Sequence, residues 1–276
     1  MMELFLSMFT YPFMLRALFV GSLIALCAAL LGVTLVLKRY SMIGDGLSHV
    51  GFGALAVASA LGAAPLPVAI PVVVLAAFLL LRLSENSRIK GDAAVALVST
   101  GALAIGVTVV SQTTGMNTDV YNYLFGSILS MSGEDVVLTT VIAVIVLVLF
   151  ILFYNRIFAV TFDETFARAT GTKAHLYNML IALLTALVIV VGMRMMGSLL
   201  ISSLVVFPAV TAMRLCKTFR SVIIASSVIS VLCLQAGLAI SYLYATPTGA
   251  SIVLCNIVVF GIFYAASLLR ERKTPA

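Results

Sequence analysis

The chain has 276 residues, of which 63% are hydrophobic and only 26 are charged, 16 Lys or Arg and 10 Asp or Glu. That 9% share, against about a quarter in a soluble domain, cannot cover a water-exposed surface, and a mean hydropathy of +1.22 spreads the apolar excess over the whole length. A soluble globular protein is excluded, and the net charge of +6 marks no nucleic-acid surface, because the cations come in small groups between long uncharged runs.

In chain order, MMELFLSMF lacks a basic start and is predicted to be retained rather than cleaved as a signal peptide. Uncharged stretches then predict nine helical spans, at about 14–37, 42–61, 65–83, 93–111, 136–154, 176–193, 195–213, 221–244 and 250–269. Gly46 to Leu81 carries no Asp, Glu, Lys or Arg yet is too long for one span of about 20 residues, and GAAPLP at 62–67 supplies the turn. Ser221 to Leu269 is divided in the same way by ATPTGA at 245–250. The stretch 176–213 reads as two short helices, with one broken helix, and so eight spans, as the alternative. The whole of 1–276 is expected to form one all-α polytopic membrane domain.

Alternating the nine spans leaves only Arg16 and Arg194 opposite the other 14 of the 16 cations. By the positive-inside rule the N-terminus is then outside and the C-terminus cytoplasmic. The long outer connection, 112–135, has an apolar middle, VYNYLFGSIL, and reads as an interfacial cover, a gate or a docking surface. The long inner one contains FDETFARATG, with acidic residues at a helix start, an apolar stripe of Phe162 and Phe166, and a closing glycine. It predicts a short helix lying across the cytoplasmic face, where a partner would pack.

Catalytic signatures are missing: no lysine follows a glycine as a P-loop requires, and neither HExxH nor GxSxG occurs. Cys27, Cys216, Cys233 and Cys255 form no CxxC pair and read as small hydrophobes. One constellation stands out, SMIGDGLSHVGFG at 41–53, in which Asp45 and His49 are four residues apart. On a helix that spacing puts a carboxylate and an imidazole on one face, a ligand pair suited to a borderline divalent cation such as zinc or manganese. Gly44, Gly46, Gly51 and Gly53 leave room for close helix contact or a locally broken helix. The bland alternative is that Asp45 caps the second span and His49 bonds locally to it or to Ser48. Elsewhere, Arg194 among methionines reads as a snorkelling side chain, His175 as solvated, and Pro208 as a kink in the seventh span.

On FMLRALFVG (13–21), VLKRYSMIGDGLSHV (36–50), DVYNYLFGSIL (119–129), FDETFARATG (162–171) and GSLLISSLVVFPAVTAMRL (197–215), the chain resembles the permease subunits of bacterial zinc and manganese ABC importers, most closely the zinc branch. The resemblance implies that Asp45 and His49 coordinate the translocated metal, with no permanent cofactor. It implies that Phe162, Asp163, Glu164, Phe166, Ala167 and Gly171 belong to a segment coupling to a separate cytoplasmic ATPase. Further implied are an extracytoplasmic metal-binding protein, a homodimer of the permease in the bacterial cell membrane, and a fold similar to the cobalamin and siderophore importers, with four spans on either side of a central one. The alternatives are an ATP-independent secondary metal transporter, a permease for a metal chelate, and an intramembrane enzyme.

Overall fold

The computed structural model describes residues 8–86, 91–113, 126 and 132–273. After a 3-10 turn at Met8–Thr10 come α1 (Pro12–Leu37), α2 (Ser41–Ala60), α3 (Pro65–Asn86), α4 (Gly91–Gln112), α5 (Gly133–Leu152), α6 (Tyr154–Phe162), α7 (Glu164–Ala169), α8 (Ala174–Met196), α9 (Ser198–Leu215), α10 (Phe219–Tyr244) and α11 (Thr248–Lys273). The described part is an all-helical bundle.

Among the described residues, eight helices are long and apolar enough to cross a membrane. The ninth long helix, α2, has 20 residues but carries Asp45, His49 and several glycines, which lower its hydropathy. Among the described long helices it is the one too polar to count as a membrane span, and it packs inside the bundle against α3, α4, α8 and α9. The predicted turns fall where Gly and Pro put them. Gly62, at φ 66, lies between α2 and the Pro65 start of α3, and Ala245 ends α10 in the left-handed region at φ 52. The stretch 176–213 is two helices, α8 and α9, meeting at Gly197, whose φ of 85 reverses the chain in one residue.

Helices α1 and α8 form the centre, with 72% of their most apolar stretch buried, whereas α11 buries 17% and turns its other faces outward, as a lipid-facing helix does. In lipid, apolar faces gain little by meeting one another, so close packing of small residues and interhelical hydrogen bonds hold such a core. On α1 the buried run Ala25, Cys27, Ala28, Ala29 and Gly32 provides this. A Cβ on Gly32 would lie 1.9 Å from the carbonyl oxygen of Val205, so only glycine lets α1 and α9 approach this closely. Ser230 of α10 donates to the Ala25 carbonyl at 3.0 Å, and the four cysteines are free thiols, Cys27 and Cys233 buried. Helix α2 is continuous through its glycines rather than locally broken. Gly53 serves contact with α4, where a Cβ would be 2.6 Å from the Ala102 carbonyl.

The connection between α5 and α8 differs in detail from the single short helix expected, because α7 forms within FDETFARATG and a further helix, α6, precedes it. Helix α6 continues almost directly from α5, and its ring face closes on the start of α10, with the Phe219 ring centre 5.1 Å from that of Phe158 and 5.6 Å from that of Tyr154, both tilted, and edge-on to Phe162 at 5.8 Å. Asp163 breaks the helix with extended backbone, and its carboxylate accepts from the Phe166 amide at 2.8 Å to cap α7. Gly171, at φ 81, ends the segment. Pro208 is buried inside α9, which runs on to Leu215.

Candidate functional site

Asp45 lies in the second turn of α2, and its side chain meets the ring of His49 one turn on, with Nε2 3.7 Å from Oδ2. The capping alternative does not hold, since α2 starts at Ser41 with Tyr40 in the cap position. Nor is the local hydrogen bond made, because 3.7 Å is beyond its range, and the Ser48 hydroxyl instead donates to the Asp45 backbone carbonyl at 2.7 Å. The other carboxylate oxygen, Oδ1, accepts from the Ser202 hydroxyl of α9 at 3.1 Å, which fixes the carboxylate and leaves Oδ2 turned toward the imidazole. His49 Nδ1 is buried without a hydrogen-bond partner. The side chains of Asp45 and His49 are 48% and 26% exposed, so neither is sealed in the bundle.

Metal–oxygen and metal–nitrogen bonds of about 2.0–2.2 Å sum to more than the 3.7 Å separating Oδ2 from Nε2, so one ion can bridge the two atoms as they stand. Among the described residues no group of three His, Cys, Asp or Glu side chains is close enough to cage an ion. The donor set is one oxygen and one nitrogen, sparse for a structural metal centre, which closes four ligands around its ion. Asp92 is exposed in the first turn of α4, and His175 is exposed at the start of α8.

The C-terminal end of α8 departs from expectation. Arg194 does not snorkel alone: its Nη2 pairs with Asp135 Oδ1 at 3.2 Å. The same aspartate closes a capping box with Ser132 at the start of α5, so the ion pair ties the α5 start to the α8–α9 corner. Gly126, at φ 74, sits against that corner, where a Cβ would be 2.1 Å from the Met196 carbonyl carbon. The rest of the predicted outer cover, 114–125 and 127–131, lies outside the described residues, as do 1–7 of the N-terminus.

The six residues of the FDETFARATG stretch take different positions. Phe162 and Phe166 are 59% and 65% exposed, Gly171 is exposed, and Ala167 is buried beside Val160 and Ala174. Asp163 caps α7. Glu164 turns inward, where Oε2 is 3.5 Å from Lys38 Nζ and accepts from Asn178 Nδ2 at 3.0 Å, while Oε1 pairs with Arg168. Burial pushes this carboxyl up, but the Asn178 hydrogen bond and the Lys38 and Arg168 charges outweigh it and hold the group below the ordinary carboxylate range. Lys38 also donates to the Val160 carbonyl at 3.3 Å and to Asn178 Oδ1.

Sequence reading missed Ser202, Lys38 and Asn178. The signal for Asn178 was an amide within two turns of the start of an apolar helix, and for Ser202 a serine pair inside GSLLISSLVV.

The manganese transport system membrane protein MntC of Halalkalibacterium halodurans is 29% identical over 94% of this chain and 88% of its own length. The high-affinity zinc uptake system membrane protein ZnuB of Haemophilus influenzae is 28% identical over 91% and 96%. The solved structure of PsaBC from Streptococcus pneumoniae in complex with Fab superimposes with a TM-score of 0.86 at 29% identity, covering 96% of this chain and 95% of that one. An inward-facing metal-chelate type ABC transporter, described as putative, shares the fold, with a TM-score of 0.74 at 16% identity over 92% and 86%. The model of the ABC 3 transport family matches residues 10–267, and the chain is therefore a multi-pass transport subunit belonging to that family of metal ABC importer permeases.

Proposed function

We propose that this chain is the permease through which a divalent transition metal, zinc or manganese, enters the cytoplasm by way of Asp45 and His49. The observation that carries the reading is the pair itself: a carboxylate oxygen and an imidazole nitrogen 3.7 Å apart, on a long helix packed inside the bundle, with one serine holding the carboxylate. Ionisable groups within membrane segments are costly, by about 2.5–3.5 kcal/mol on insertion scales, and mark ion paths by default. Two donors and a partly open flank suit an ion that must leave again.

The N-terminus faces outward and the C-terminus the cytoplasm, by the distribution of Lys and Arg. A separate ATPase docks on the exposed Phe162 and Phe166 of the α6–α7 segment. Two permease copies sit side by side in the lipid, and an extracytoplasmic protein delivers the ion to the outer face. Zinc was the expectation from GDGLSHVGFG, and relatives are named for manganese as well as zinc. One oxygen and one nitrogen serve either ion.

The test is metal uptake into proteoliposomes holding the permease, its ATPase and its binding protein, with zinc and manganese supplied in parallel. The reading expects uptake that stops when ATP or the ATPase is left out. Uptake by the permease alone would instead identify a secondary transporter, and elemental analysis of the lumen names the ion.

A further inference from the structure

A lysine nearly sealed at the inner end of the bundle joins four elements at once. Lys38 is the cap residue of α1, and its side chain is 9% exposed. Its ammonium reaches the Val160 carbonyl on α6, Glu164 on α7 and Asn178 on α8, while Asn178 itself donates to the same Glu164 oxygen. Asn178 is 3% exposed and the Glu164 side chain 29%, so the triangle is partly withdrawn from water, which strengthens charge-assisted hydrogen bonds. Beside it, Val160, Ala167 and Ala174 pack together and fasten α6, α7 and α8 through apolar contact.

The chain beyond Lys38 is short and tightly wound. The Arg39 amide donates to the Val36 carbonyl at 3.1 Å and the Tyr40 amide to the Leu35 carbonyl at 2.8 Å, the two bonds of a Schellman closure. Arg39 occupies the left-handed position at φ 60, where glycine is usual. Helix α2 begins at Ser41, and Asp45 follows within about 6 Å of axial rise. Few free backbone torsions therefore separate Lys38 from the first turns of α2.

We propose that the Lys38–Glu164–Asn178 cluster is a strut that carries displacement of α7 to the first turns of α2, and so to the carboxylate of the Asp45–His49 pair. The inference rests on the function proposed above. Glu164 is then a positioning residue: it faces away from the exposed rings of Phe162 and Phe166, and it acts through Lys38. The second anchor of the segment, the ring cluster around Phe219, leads to α10 instead. The apolar patch of Val160, Ala167 and Ala174 ties the segment to α8, which itself packs on α2, and the polar anchor is the one whose lysine stands at the α1–α2 turn.

The test uses the assembled transporter in proteoliposomes and reads metal ions imported per ATP hydrolysed. Glu164→Gln keeps the shape of the side chain and removes its charge, and Lys38→Arg keeps the cation. The strut predicts that Glu164→Gln hydrolyses ATP within about twofold of the unmodified transporter while ions per ATP fall roughly tenfold, the scale of an ordinary coupling energy, and that Lys38→Arg keeps most of the ratio. An unchanged ratio in Glu164→Gln would overturn the strut. So would hydrolysis and import falling together, which would place Glu164 in docking or folding rather than transmission. Absence of ATP-driven import by the unmodified transporter would overturn the underlying function instead, and so separates the two failures.

Discussion

Lys38 and Asp45 stand on either side of the α1–α2 turn, and the clusters they belong to are built in opposite ways. Around Glu164 the carboxylate meets Lys38, Asn178 and Arg168, and every oxygen has a partner. Around Asp45 one oxygen has Ser202, the other faces an imidazole at 3.7 Å, and the imidazole keeps a buried nitrogen with no hydrogen bond. The difference follows from the work each would do. A link that transmits force is saturated, because any loose partner would absorb the motion. A site that receives an ion and gives it up stays short of partners, because a saturated carboxylate would not exchange them for a metal.

That contrast can be broken from either side. The largest effect is expected at Asn178, where Asn178→Leu removes a buried amide from between Lys38 and Glu164 and leaves both short of a partner. A loss of about 2–3 kcal/mol, seen as earlier thermal unfolding in detergent, is the expected outcome. Removing Ser202 should act otherwise. Ser202→Ala should cost less than about 1 kcal/mol in stability yet weaken metal import by about tenfold, as outer-shell partners of metal ligands do. If it unfolds the protein as readily as Asn178→Leu does, the two clusters are not different in kind.

Acid titration sharpens the same comparison. The folded carboxyl of Glu164 lies below its ordinary value of 4.5, so its contribution is complete above that pH and is lost as pH falls through the folded value. A loss of stability confined to pH below about 4.5, and absent from Glu164→Gln, is predicted. The smallest effect is at the turn between the clusters. Arg39→Gly relieves a left-handed backbone at φ 60 and should raise stability by about 1 kcal/mol, with the metal-to-ATP ratio unchanged.

Much of the fold was legible because lipid imposes simple rules on a chain. Uncharged runs of about 20 residues gave the long helices to within a few positions, and GAAPLP and ATPTGA marked their turns. Asp45 and His49 were legible because four residues on one helix fix their proximity. Contacts across the chain were not. Ser202 is 157 residues from Asp45, Asn178 is 140 from Lys38, and Arg194 meets an aspartate on another helix, so no local period links them. In the 155–175 connection the acids and the apolar stripe marked α7, and α6 before it was missed, because it follows α5 with no Gly, Pro or charge between them.

The central claim is that metal passes through the Asp45–His49 pair, and import by the assembled complex carrying Asp45→Ala or His49→Ala tests it most directly. Losing an outer-shell partner costs about 10–100-fold, so losing a ligand should lower import by at least about 100-fold while the complex stays folded and assembled. Import at the unmodified rate by both variants would contradict the account.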